Sequence, residues 1–447
     1  MHPSKLPCLL LLCWQLLSPL ALLAQQEEQI VPSAIDSLIQ ISRNHTSKAE
    51  FDAAFAASEQ AGILAKACCG ERSAAYASFC FNEGRIRDFM NRIQEAIPWY
   101  QQSKVLRAEL LGTMHIDYGK SLNNLAIVYE LSGQFAKAEQ LYLESLKIRE
   151  HHAGKESIAY ARVLYNLSGF YLTLGQFEKA ELMGVEAKQI RERILGDNHI
   201  QYAAALINLA NIHYNTYNSE HALKLYQEAK AIYEKQESLP FYAYARVIDN
   251  LGAAYGQVKN YGKAEEYYRQ SAQLRLETLG EDSEEYARNL NHLASVYFST
   301  NRLQEAEEAL QKSLAILEQI GHIDDDYAYS LQDLGSVYFA QGRYAEAKEM
   351  QQEGLSRIEE QFSKHHPRYL KGLKLMAQVE SANGRFAAAG DFLRQMAQLQ
   401  DRTLNNAVRH LSKAELGNFT FIFKADLHEY LSLAENFPAF ADVCYDK

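Results

Sequence analysis

The sequence predicts an all-α chain, a solenoid of stacked helix-turn-helix repeats, and three observations carry that prediction. A leucine recurs as Leu125, Leu167, Leu209, Leu251, Leu293 and Leu334, at steps of 42 residues with a last step of 41. A small residue follows each anchor (Gly84, Ala126, Ser168, Ala210, Gly252, Ala294, Gly335 and Ala377), and an alanine stands thirteen residues past it, from Ala96 and Ala138 through to Ala347 and Ala389. Seven residues before the anchor stands a tyrosine, from Tyr76 and Tyr118 to Tyr327 and Tyr369. A period of this length is that of one supersecondary unit, which buries its apolar face only against its neighbours.

Each element follows from these columns. The first helix of a repeat carries segments such as SLNNLAIVY at 121 to 129 and LINLANIHY at 206 to 214, with its tyrosine at the start, placed to pack against the neighbouring repeat. Gly133, Gly175, Gly342 and Gly384 mark the turn within a repeat. The second helix carries the alanine column, and the two small columns should meet where the helices cross, since close approach needs small side chains. Gly112, Gly154, Gly196, Gly280 and Gly321 mark its end, while Pro240 and Pro367 fall in turns between repeats, where they break no helix. Pro98 falls inside a second helix and predicts a late start or a kink there.

Composition agrees with a folded array. Of 447 residues, 47% are hydrophobic, 23% charged and 8 are proline, enough for a large core and too apolar for disorder. The formal charge of -11, without a lysine or arginine run, argues against nucleic acid as a partner. Residues 1–24 read as a secretory signal peptide: Lys5, the apolar run Leu6 to Leu23, then Ala24. Gln15 and Ser18-Pro19 interrupt that run, making a permanent membrane span the weaker reading. The chain is therefore expected to be exported, periplasmic or extracellular, with no stable membrane span after removal of the signal. Residues 25–73 read as an N-terminal helical cap, 74–402 as about eight repeats, and 403–447 as a phenylalanine-rich C-terminal helical segment opened by a capping box of Ser412 and Glu415. Cys68, Cys69, Cys80 and Cys444 outlast the leader; they form no disulfide scaffold, and Cys68 and Cys69 are expected to be buried thiols.

The unit resembles the tetratricopeptide repeat, in its kinesin-light-chain-like form of 42 residues. NNLAIVYELSGQFAKAEQLYLESLKIRE at 123 to 150, NLSGFYLTLGQFEKAEL at 166 to 182 and the LGDNH turn at 195 to 199 carry the likeness, which covers about residues 74 to 400. It implies a right-handed α-solenoid with a concave groove that holds a protein or peptide. Glu83 and Arg87 in the first copy, Gly184, and His213 for Tyr depart from the pattern. The segment from 412 resembles the one that, in exported bacterial tetratricopeptide proteins, links the repeats to a CHAT domain, a caspase-like peptidase fold.

Catalytic patterns are absent: the sequence holds no GxSxG, HExxH, GxxxxGK[ST], GxGxxG or CxxC, so no enzyme, cofactor or metal site is expected. His151-His152, His365-His366 and His199 are expected to cap turns. The functional signal lies on the face of each first helix that points away from the anchor. One residue before the anchor stand Asn124, Asn166, Asn208 and Asn250, then His292 and Asp333; five before it stand Lys120, Arg162, Arg246, Arg288 and Lys371. Asparagine offers both a donor and an acceptor to an extended peptide, and arginine pairs with a carboxylate. The resemblance carries that groove role onto Lys120, Asn124, Arg162, Asn166, Asn208, Arg246 and Asn250, and the columns extend it to Arg288, His292 and Asp333. The asparagines could equally bridge adjacent helices. A groove basic at one end and turning to His292 and Asp333 favours an acidic segment in its first half. Three functions stay open: an exported non-enzymatic scaffold, the sensor or regulatory half of a CHAT-type signalling protein, and a structural protein that stacks end to end through 419 to 445.

Overall fold

The computed structural model describes residues 33–239, 241–321, 325–361, 364 and 367–410. These residues are helical throughout, without a strand among them, and divide into an N-terminal unit ending at Gly196 and a C-terminal unit beginning at Asp197. In the N-terminal unit α1 (33–47) pairs with α2 (Phe51–Cys69), α3 (Ala74–Phe89) with α4 (Ile93–Leu111), α5 (Ile116–Leu131) with α6 (Phe135–Ala153), and α7 (Ile158–Thr173) with α8 (Phe177–Leu195). In the C-terminal unit α9 (Ile200–Asn215) pairs with α10 (Ser219–Glu234), α11 (Phe241–Gln257) with α12 (Tyr261–Leu279), α13 (Glu284–Ser299) with α14 (Leu303–Gln319), α15 (Asp325–Ala340) with α16 (Tyr344–Gln361), and α17 (Pro367–Ala382) with α18 (Phe386–His410). The architecture is the all-α solenoid that the period predicts.

The predicted columns meet as expected. Every alanine of the column, from Ala96 to Ala389, is fully buried, as are the anchors Leu167 and Leu251. Ser168 donates its hydroxyl to the Ala180 carbonyl at 2.7 Å, so the small residue of a first helix touches the alanine column of the second. The tyrosine column stitches second helices at both ends. Tyr118 and Tyr202 donate to Glu144 and Glu228 of their own repeat at 3.0 Å, whereas Tyr244 donates to Glu234 of the preceding one at 2.7 Å.

The turn within each hairpin forces one residue into the left-handed region, at φ between 57° and 79°. Glycine takes it at Gly133, Gly175, Gly342 and Gly384, but Ala49, Asn91, Tyr217, Lys259 and Asn301 take it elsewhere. For alanine, tyrosine and lysine that conformation costs about 1 kcal/mol or more, and the turn keeps it because the flanking helices pack. Ala49 lies in the segment read as the N-terminal cap, which is a helical hairpin of the same build. Ser42 and Ala54 fall 42 residues before Gly84 and Ala96, and Ser42 donates to the Ala54 carbonyl at 2.7 Å, just as Ser168 does to Ala180.

Other expectations need correction. Pro98 neither delays nor ends α4, which runs on from Ile93. Cys68 and Cys69 are not buried thiols; they are exposed on the last turn of α2 and joined to each other, while Cys80 is the buried one, its thiol pushed up to about 12 by burial. His151 and His152 close helix α6 instead of lying in a turn, whereas His199 caps α9 as expected, its Nδ1 accepting from the Gln201 N–H at 3.1 Å. Glu83 and Arg87, the two departures of the first copy, answer each other: they pair at 2.5 Å, and Arg87 stacks 5.0 Å from the Trp99 ring centre. The signal peptide, Cys8, Cys13, Cys444, His365, His366 and the Ser412 capping box lie outside the described residues.

Candidate functional site

The groove positions follow from helix geometry: residues one and five before the anchor share a face of each first helix, opposite the buried leucine. In the N-terminal unit that face holds Lys120, Asn124, Arg162 and Asn166. Lys120 donates to Asp117 at 2.6 Å, and Arg162 is exposed with no hydrogen bond or ion pair. Asn166 donates to the side-chain Oδ1 of Asn123 at 3.0 Å, from one first helix to the one before it. Asn124 donates to the Tyr100 hydroxyl at 3.3 Å. Three of the four asparagines therefore bridge helices, because in the C-terminal unit Asn250 likewise donates to Asn211 at 3.1 Å. Asn208 differs: it is 6% exposed, and its Nδ2 has no acceptor.

Beneath Asn124, Tyr100 also donates to Asp88 at 3.4 Å. Burial raises the Asp88 carboxyl to about 6, against the opposing effect of that hydrogen bond and of Arg85. The folded protein then keeps a proton that the unfolded chain releases near pH 4, so this residue's contribution to stability falls as pH rises from about 4 to about 6. Asp88→Asn, which keeps the acceptor for Tyr100, is expected to raise stability at pH 7 by about 1 kcal/mol and to flatten that slope. Urea midpoints across this range check it; an unchanged pH profile refutes it.

In the C-terminal unit Arg246 is exposed and unpaired, but Arg288 is not open to a ligand as expected. Its Nε donates to Asp326 at 2.8 Å and its Nη2 pairs with Glu284. His292 lies 5.0 Å from the Tyr268 ring centre, its Nδ1 without a hydrogen bond, and burial holds its imidazole below the usual value. Asp333 does not turn its end of the groove acidic. It accepts from Arg368 at 2.9 Å and from Lys371 at 2.8 Å, and although burial pushes its carboxyl up, these two cations hold it below the usual range.

Around Asp333 residues of α13, α15 and α17, with Leu310 of α14, line a half-open cavity of about 570 Å³. Its floor is apolar (Ala294, Phe298, Val337, Phe339 and Leu375) and its rim carries Arg368, Lys371 and Lys374. The groove columns already name Asp333 and Lys371 of this site but not its apolar residues, which left a trace in the sequence. Five residues past the anchor the groove position holds Asp88 and Glu130 in the N-terminal unit, then Phe298 and Phe339 at the cavity. A second unread column lies eighteen residues before the anchor, where Arg107, Arg149, Arg191 and Arg275 are all buried. Among the described residues no group of three or more His, Cys, Asp or Glu side chains could hold a metal ion, and no helix is long and apolar enough to cross a membrane.

The tetratricopeptide repeat profile matches residues 82–151, 156–235, 244–319 and 326–401. The chain belongs to the tetratricopeptide repeat family. Solved structures that this repeat protein resembles include a putative kinesin light chain with nearly identical TPR-like repeats from Podosopora anserina, at 22% identity over 46% of this chain and 98% of that one, TM-score 0.39. They also include a Rap protein complexed with Competence and Sporulation Factor, at 15% identity over 83% and 98%, TM-score 0.58. Aspartyl phosphate phosphatase F from Bacillus subtilis is similar at 13% identity over 82% and 94%, TM-score 0.53. The likenesses to the Rap protein and to aspartyl phosphate phosphatase F speak for the fold alone. No curated protein sequence matches the tetratricopeptide chain significantly.

Proposed function

We propose that this tetratricopeptide protein is an exported, non-enzymatic scaffold that binds a protein or peptide segment in the groove of its first helices. The observation that carries the reading is the cavity on α13, α15 and α17: an apolar floor large enough for side chains, with Phe298 41% exposed on it, under a basic rim. Apolar contact supplies affinity there, and Arg368, Lys371 and Lys374 favour a segment with acidic side chains beside apolar ones. Repeat arrays characteristically use their extended inner surface in this way. Export rests on the leader-like composition of residues 1–24. The likeness of the C-terminal segment to linkers of CHAT proteins supports a second reading, that the array is the sensor portion of such a signalling system.

A displayed library of random peptides, selected on the full chain, tests the groove. Selected peptides are expected to carry acidic and apolar residues together and to lose at least about tenfold in affinity on Phe298→Ser with Lys371→Gln, the variant keeping its helical circular dichroism. Equal binding to both proteins removes the cavity from the function.

A further inference from the structure

In the column of buried arginines Arg107 and Arg275 make hydrogen bonds and Arg191 meets a ring, whereas Arg149 has no hydrogen bond and both its Nε and Nη2 are buried without a partner. Arg107 donates from Nη1 to the Asp117 carbonyl at 3.0 Å and to Ser121 at 2.9 Å, over the Phe81 ring at 4.7 Å. Arg191 lies 4.5 Å from the Tyr165 ring centre, and Arg275 donates to Asp249 at 2.6 Å. At Arg149 the residues in the same places have changed. In the register where the others have Phe81, Tyr165 or Asp249 stands Asn123, and where Arg107 has Ser121 stands Val163. The side-chain Oδ1 of Asn123 already accepts from Asn166. Arg149 is therefore 1% exposed with no hydrogen bond, and its Nε and Nη2 are sealed from solvent without an acceptor.

The surroundings are positive as well. Among the described residues Asp117 is the carboxylate whose charge favours Arg149, and it is shared with Arg43, Arg107 and Lys120. Arg162, exposed and unpaired on α7, adds a repulsive charge and, after burial itself, lowers the pKa of Arg149. In a chain of formal charge -11 this is a local excess of cations. A buried guanidinium in such a place lacks an anion.

We propose that Arg149 and Arg162 form an oxyanion site in the N-terminal unit, taking a carboxylate or a phosphoryl group. Nε and Nη2 make up one edge of the guanidinium fork, the edge that receives two oxygens of such a group side by side. Arg162 collects the anion at the surface, and the Arg149 side chain turns toward it to present that edge. Lys120 stands at the equivalent position of α5, on the adjacent first helix, and adds its charge. The site needs no peptide in the groove and stands or falls apart from the scaffold reading.

Inorganic phosphate and acetate, each titrated into the full chain against sodium chloride at matched ionic strength, test it by thermal unfolding and calorimetry. One of the two is expected to raise Tm saturably, by about 3 °C at a hundredfold excess over its Kd. Which one does so tells phosphoryl from carboxylate recognition. Arg162→Gln, on the surface, should weaken binding about tenfold, and Arg246→Gln should leave it unchanged. Asn123→Asp gives Arg149 the internal partner that Asp249 gives Arg275; it should abolish the anion response and raise Tm in chloride, as should Arg149→Met. An unchanged response in Asn123→Asp or Arg149→Met, or no response beyond chloride in the parent chain, overturns the site.

Discussion

Replacing Asp249 by alanine is expected to destabilise the C-terminal unit by about 3 kcal/mol or more, the usual effect of removing one partner from a buried ion pair. Asp249 is 8% exposed; one carboxylate oxygen receives Arg275 Nη2 at 2.6 Å and the other receives Asn289 Nδ2 at 2.8 Å. Without it, Arg275, itself 7% exposed, keeps the Glu285 carbonyl at 3.3 Å and Asn289 but has no opposite charge. The Coulombic attraction removed in a low-dielectric site exceeds what water can restore there, so the loss falls on folding. The double variant Asp249→Ala with Arg275→Met should recover most of the loss, because both charges then leave together. Urea unfolding followed by circular dichroism measures both proteins. Trp99 lies in the N-terminal unit, so its fluorescence reports that unit separately and should change less. An unshifted midpoint in the single variant, or a double variant no more stable than the single, would show the pair to be incidental.

The sequence made the architecture readable because the same physical demand recurs at a fixed interval. Leu125, Ala138 and Tyr118 each answer a packing need that every copy shares, and repetition turns three weak local signals into one strong one. The first hairpin reads as a helical cap and not as a further copy because its columns are eroded. Its tyrosine place is Ala34, its anchor place is Ile41 at 46% exposure, and its turn residue is Ala49. The site was less legible for a different reason. A column says which face a residue occupies but not what it touches there. Asn166 and Asn250 lie on the expected face yet spend their amide donors on neighbouring helices. Arg288 carries the right charge for a ligand but meets Asp326 and Glu284 first. The opposite error occurred at Arg149, which belongs to the helix pair's interior by period, so that only the loss of its counterpart at Asn123 marks it out.

Leu251→Ala is expected to cost about 3 kcal/mol, within the range for a buried leucine truncated to alanine. The anchor is fully buried, and it belongs to one continuous apolar cluster that runs through the C-terminal unit from Tyr202 to Val379. Its neighbours are held by the small and alanine columns, since Gly252 already sits so close to Tyr268 that a Cβ there would lie 2.7 Å from the ring. Helices locked that tightly relax little into a new void, which places the loss toward the larger end for its volume. Continuity of the core decides how the damage spreads. Most of the C-terminal unit shares one cluster, beside a smaller one around Leu373, and the repeats in the larger cluster should unfold together. Hydrogen exchange in the Leu251→Ala protein should therefore show protection falling in α9 to α14 as a block. A loss confined to α11 and α12 would mean that the shared cluster does not couple its repeats.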